Sequence, residues 1–188
     1  MRSIYKIVVC SLLTLSITSC EKDLLEKEQY QKEIYLIGAY NRVWTTEVSY
    51  SNEEVKTYFT VSSSGTLALD RDVNVKMKIN EELVDIYNKK YWTVLNEDKY
   101  YKSLDTDLYS IPSLENTVIK HAEGISTEVP VLIKTASLKI DQSYVIPVEI
   151  ESTTGYPISE SGYKMLILLK LKNDYSGSYQ MSGHTTLE

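Results

Sequence analysis

A chain of 188 residues with a formal net charge of -6 is long enough for one domain with a real core. Its sign is wrong for a nucleic-acid binder, whose affinity rests on positive charge. Hydrophobic residues make up 43%, but the aromatics are lopsided, with 16 Tyr against 2 Trp and 1 Phe. An apolar ring with a polar tip suits half-buried sheet positions, and it suits wet binding surfaces, sugar-binding ones included.

Two positive charges, Arg2 and Lys6, precede an apolar run from Ile7 to Ile17. At about 11 residues that run is short of the roughly 20 needed to cross a bilayer, so it reads as an export signal. Ile17-Thr18-Ser19-Cys20 resembles a lipobox: an aliphatic residue, two small residues and the cysteine that takes the lipid. An ordinary export signal with a chance cysteine is the alternative. The thiol count favours lipid. Cys10 leaves with the signal and Cys20 becomes the acylated first residue, so no free thiol or disulfide remains. Residues 1–19 are thus expected to be a signal peptide and 20–32 a lipidated, polar tether holding the domain at the outer membrane, facing the exterior. Its start, Glu21-Lys22-Asp23, resembles the surface-export signal of Bacteroidetes lipoproteins.

Strand patterns follow. EIYLIGAY (33–40) is a continuous apolar run. EVKTYFTV (54–61) alternates, with Val55, Thr57, Phe59 and Val61 on one face. Val73, Val75, Met77 and Ile79 do the same in DVNVKMKI (72–79), a period of two that marks a half-buried strand. One helix interrupts the series. Asn80 can cap it, Glu81 and Glu82 suit its first turn, and Leu83, Val84, Ile86 and Tyr87 make its apolar face. At two to three turns it has to pack on a sheet to persist.

Strands resume at NTVIK (116–120) and ISTEVPVLIK (125–134), where Ile125, Thr127, Val129, Val131 and Ile133 share a face. Pro130 lacks an N–H, which places that strand at an edge or a bulge. YVIPVEIE (144–151) and YKMLILLKLK (163–172) complete the set. The expectation is an all-β fold with one short helix, an immunoglobulin-like β-sandwich of about seven strands over residues 33–172. In "LKIDQSYVIPVEI" a leucine, a polar turn and Tyr144 resemble a tyrosine corner, with the Tyr144 hydroxyl bonded back to the turn.

Chemistry is sparse. The histidines are His121 and His184, and with no mature thiol there is no zinc-ligand spacing. No glycine-rich phosphate loop or Gly-x-Ser-x-Gly elbow occurs. Glu53 and Glu54 alternate on a strand, and Glu81 and Glu82 serve a helix dipole. Asp105 and Asp107 could flank a calcium ion but lack a ligand loop. Neither an enzyme nor a cofactor or metal is expected. Aromatics are the remaining candidates for a sugar surface. Trp44 reads first as a core residue. Trp92 and Tyr101 lie in a polar, loop-like insert (91–101), where a stacking platform and core packing are both open.

Three blocks carry a family resemblance: "VNVKMKINEELVDIYNKKY", "YKSLDTDLYSIPSLENTVIKHAEG" and "VPVLIKTASLKIDQSYVIPVEIESTTGYPISES". Their order resembles a Bacteroidetes surface-lipoprotein domain of unknown function. That domain is the N-terminal module of Sus-type glycan-binding lipoproteins and of some endo-β-N-acetylglucosaminidases. The resemblance implies an immunoglobulin-like sandwich and a non-catalytic role in capturing glycans within a polysaccharide-utilisation system, beside a Sus-type importer. The chain departs from the pattern in having Asp105 rather than proline after Leu104, and a long insert from Tyr91 to Tyr100. "NDYSGSYQMSG" (173–183) resembles the opening strand of a downstream domain, so 173–188 is expected to begin a domain that is missing. Two alternatives stand beside glycan capture: a spacer lifting an absent domain from the membrane, and the first module of a truncated endoglycosidase.

Overall fold

The structure is a computed structural model describing residues 27–172 and residues 178, 180, 182 and 183. The expected signal peptide, Cys20, His184 and most of the segment 173–188 lie outside the described residues. No helix among the described residues is long and apolar enough to cross a membrane.

Two sheets form a sandwich. The first contains β1 (Ile34–Leu36), β3 (Glu54–Ser63), β8 (Ser126–Lys134) and β6 (Tyr109–Ser110), in that order. The second runs β2 (Val43–Ser49), β10 (Lys164–Lys172), β9 (Tyr144–Thr153), β4 (Val73–Ile79) and β7 (Thr117–Ile119). A sixth strand, β5 (Lys102–Ser103), pairs with β9. The inward positions of the alternating runs meet between the sheets. Phe59, Val61, Val129, Val131 and Ile133 from the first sheet pack with Val75, Met77, Ile146, Val148, Met165 and Ile167 from the second. All of these are at most 1% exposed, so the period-two reading of the main strands holds to the level of single side chains.

Ten strands stand among the described residues where about seven were expected; the three additions are β2 and the two-residue strands β5 and β6. The run 33–40 is not one strand. It stops at Leu36, and Gly38 (φ 88) turns the chain into a short 3-10 turn at Ala39–Asn41. The chain then crosses to the other sheet as β2, which pairs parallel to β10. Hydrophobicity alone cannot show this, since residues 37–40 stay apolar while the backbone reverses. β2 itself was not anticipated, because its pattern of exposed and buried residues does not alternate. Ile125 is 44% exposed rather than inward, for it precedes β8 and marks the end of the paired region. Pro130 pairs with Tyr58 on the β3 side. On its other side β8 meets β6 only at Leu132 and Ile133, so Pro130 sits where that flank is an edge.

The tyrosine corner is present. The Tyr144 hydroxyl accepts a hydrogen bond from the Lys139 N–H at 3.4 Å, and Leu138 is buried beneath the turn. That is a long bond, so Tyr144→Phe should cost under about 1 kcal/mol. A loss above about 2 kcal/mol in urea unfolding would show that the hydroxyl has a further role.

The end of the expected tether lies against the turn after β3. The Ser64 N–H donates to the Glu33 carbonyl, and the Ser64 hydroxyl donates to the Gln31 carbonyl. The Glu28 carboxylate accepts from the Thr66 N–H and pairs with Lys32. These partners, Lys32 first, hold Glu28 down at about 2, below its usual 4.5. A depressed folded value means that this contact is fully formed above about 4.5 and is lost as pH falls through 2. The Thr66 amide resonance should therefore titrate near pH 2, and a midpoint at the usual carboxylate value would sink the assignment.

Candidate functional site

β4 and β5 occupy the same flank of β9. Ile79 pairs with Val148, and Lys102 pairs with Tyr144. The intervening residues therefore leave and re-enter the sheet at points four residues apart on β9, roughly 13 Å, and have to bulge outward. They form α1 (Glu82–Tyr91) and a kinked 3-10 segment, Val94–Lys99. The Glu82 N–H donates to the Asn80 side chain at 3.2 Å, which caps α1 as the sequence predicted.

α1 lies on the outer face of the second sheet. Leu83 and Val84 pack with Val145 and Leu166, and Val43, Tyr87, Tyr101 and Leu168 flank them. β9 and β10 are thus covered on both faces, with odd residues of β9 and even residues of β10 turned toward the helix. Ile86 departs from the expected apolar face and is 51% exposed. Asn88 takes a buried place instead, at 4% exposure. Its amide spans the insert: Nδ2 donates to the Tyr101 carbonyl at 2.9 Å, and the Tyr101 N–H donates to Oδ1 at 3.0 Å. A side-chain amide here copies a strand partner and pins the returning chain.

Beside this helix runs a shallow, solvent-open groove whose enclosed space is only about 30 Å³. One wall is the stripe Leu83, Ile86, Tyr87, Lys90 and Tyr91, and the other is Arg42 with Lys164–Leu166. Three tyrosines stand in a row. The Tyr87 and Tyr101 rings stack at 5.2 Å and 11°, and Tyr87 and Tyr91 meet at 4.4 Å and 34°. Burial, with Tyr101 and Tyr91 adding to it, pushes the Tyr87 phenol up to about 12. Tyr91 ends the row at 48% exposure, and the Lys90 ammonium stands 5.2 Å from its ring centre.

The three aromatic candidates from sequence do not converge. Tyr101 joins the stack but supports Tyr87 from behind. Trp92 is half-buried at the C-cap of α1, and its Nε1 is enclosed with no hydrogen-bond partner. Lys99 lies 5.7 Å from its ring. Trp44 is 38% exposed and lies against Gly38, where an added Cβ would come within 2.5 Å of its ring. Neither tryptophan lines the groove. Sequence reading placed Tyr91 in the insert without choosing it as a site residue, set Ile86 on the buried face, and did not single out Arg42, Lys90 or Lys164 for the site. The spacing 83, 86, 87, 90, 91 is a helical stripe and could have exposed half of this set. The opposite wall could not have been found that way, since it comes from distant parts of the chain.

Asp105 and Asp107 lie on the 3-10 turn at Thr106–Leu108, where the Asp107 carbonyl accepts from the Lys134 ammonium at 3.3 Å. His121 pairs with Asp72 through Nδ1 at 2.6 Å. Among the described residues no three His, Cys, Asp or Glu side chains gather as a metal would need.

A family profile for an N-terminal domain matches residues 30–157, more than half of the chain. The chain belongs to this N-terminal-domain family. No curated protein is significantly similar in sequence. Solved structures share the fold at low identity. A Bacteroides ovatus protein of unknown function superposes with a TM-score of 0.62 at 18% identity, covering 79% of this chain and 48% of its own. A candidate carbohydrate binding protein from B. ovatus gives 0.56 at 19% identity, covering 73% and 36%. An auxiliary nutrient binding protein from B. thetaiotaomicron gives 0.57 at 17%, covering 74% and 47%. EndoBT-3987 from B. thetaiotaomicron, solved with a Man5GlcNAc product, gives 0.53 at 19%, covering 73% and 30%. The chain spans about half the length of these proteins or less.

Proposed function

We propose that this family member is a non-catalytic cell-surface lipoprotein module that assists glycan capture in a polysaccharide-utilisation system, beside a Sus-type importer. The observation carrying the reading is the open groove along α1, where Tyr91 offers an exposed ring braced by the Tyr87–Tyr101 stack. A sugar's apolar C–H face stacks on such a ring, and a braced ring loses little freedom on binding. Structural neighbours described as carbohydrate or nutrient binding lend support. Cys20, in this reading, carries the lipid that holds the module at the outer membrane, exposed to the exterior.

The decisive residue is Tyr91 rather than the aromatics that the sequence highlighted. Tyr91→Ala should abolish retardation in glycan affinity gels while shifting the melting temperature by under about 2 °C, since the ring is half-exposed. Trp92→Ala and Tyr101→Ala should instead cost stability, since the first is partly enclosed and the second backs the stack. Retardation by a glycan panel that survives Tyr91→Ala would remove the groove as the site. The anchor is tested separately: Cys20→Ala should release the protein from membranes, and cells fed a fatty-acid analogue should label the wild type alone.

A second reading is a spacer that lifts a further domain from the surface. The partial enclosure of Trp92 and the greater length of the structural neighbours favour it. It predicts no retardation of the wild type by any glycan.

A further inference from the structure

We infer that the α1–β10 groove selects an acidic glycan, one bearing a carboxylate or sulfate on the sugar that stacks on Tyr91. This rests on the glycan-capture reading and adds the class of sugar. Three cations rim the groove: Arg42 and Lys164 on one wall and Lys90 on the other. None of them forms an ion pair among the described residues, although this chain carries 26 acidic residues against 20 basic ones. Most other lysines of the same sheet, Lys102 excepted, are neutralised directly. Lys76 pairs with Glu151, Lys78 with Glu149, and Lys170 and Lys172 with Glu47. Charge left unpaired around an apolar, aromatic groove is complementary to an anion with a hydrophobic face, and uronate and sulfated sugars have that form.

Arg42 adds an independent observation. It is the only non-glycine among the described residues with a positive φ, at 64°. Its carbonyl accepts from the Leu166 N–H, and its own N–H donates to the Ala39 carbonyl, so the backbone is held there whatever the side chain. Glycine would occupy that conformation without strain, and an L-residue there carries a conformational cost. The positive φ follows from the 3-10 turn that Arg42 caps; that an arginine without an ion pair among the described residues stands there, where glycine would fit, suits a guanidinium that meets a ligand from outside.

The net negative charge repels polyanions at long range, so recognition depends on the three cations at contact distance.

The test uses the full chain with polygalacturonate oligosaccharides, chondroitin sulfate, a neutral galacto-oligosaccharide of the same length and polyglutamate as a sugar-free polyanion. One or both acidic glycans should bind more tightly than the neutral one, and which of them does so separates carboxylate from sulfate. Lys90→Gln and Lys164→Gln should each weaken that binding about 3–10-fold. Arg42→Gly should weaken it similarly while leaving the melting temperature equal or higher, a pairing that a merely structural arginine would not produce. Neutral glycan bound as tightly as acidic, unaffected by the charge variants, would overturn the inference and leave glycan capture standing. Polyglutamate bound as tightly as the sugars, regardless of Tyr91→Ala, would also overturn it. Binding of no glycan at all would overturn both.

Discussion

Phe59→Ala is expected to lower the unfolding free energy by about 3–5 kcal/mol. Phe59 is the single phenylalanine of the chain, is 1% exposed and stands opposite Val129 in the middle of the first sheet. Its ring fills the space between two sheets whose other members are mostly smaller aliphatic residues, so no neighbour can move in to replace it. Domains of this size have only about 5–15 kcal/mol of stability, so the variant should sit close to its folding threshold. The midpoint in urea should fall while the slope stays constant, because the same surface is exposed on unfolding. A loss below about 1 kcal/mol would mean that the core is not packed as described.

Asn88→Ala is expected to cost about 2–3 kcal/mol, which for a domain this long is a drop of roughly 5–10 °C in melting temperature. Alanine removes a donor and an acceptor together and leaves the Tyr101 N–H and carbonyl without partners in a partly dry setting. Asn88→Asp should be nearly as damaging, since it keeps the acceptor but places a charge at a 4% exposed position. Both changes should also speed hydrogen exchange at the Tyr101 amide and loosen the Tyr87–Tyr101 stack. The groove should then lose ligand affinity with no groove-lining residue altered. An unchanged exchange rate at Tyr101 would show that the insert is held by packing alone.

The link from Asn88 to Tyr101 explains why the exposed ring is Tyr91 and not its neighbour Trp92 or Tyr101. A polar, tyrosine-rich insert is easily taken as an exposed loop, and its tryptophan draws attention first. In the folded chain the insert has to return to the flank of β9 that it left. That closure turns Tyr101 inward as a strand partner of Asn88 and leaves Trp92 half-enclosed at the helix end. The ring left facing outward is Tyr91.

The sequence by itself determined the strands that carry the core. Alternation with period two in residues 54–61, 72–79 and 125–134 is enforced by the pleat, so the apolar face is readable wherever one side of a strand is buried. It also determined the helix, through Asn80 and the pair Leu83 and Val84, and the corner at Tyr144, because capping and corner bonds join residues close in the chain. The proposed lipidation of Cys20 rests on a local motif as well. Tertiary structure alone decided the crossing at Gly38, the parallel pairing of β2 with β10 and the groove that follows from them. Arg42, Lys90 and Lys164 are separated by 48 and 74 residues of chain and come together only when that edge strand is laid beside β10. No local periodicity encodes such a meeting, because it depends on which strands become neighbours, and that is settled by burial summed over the whole sandwich.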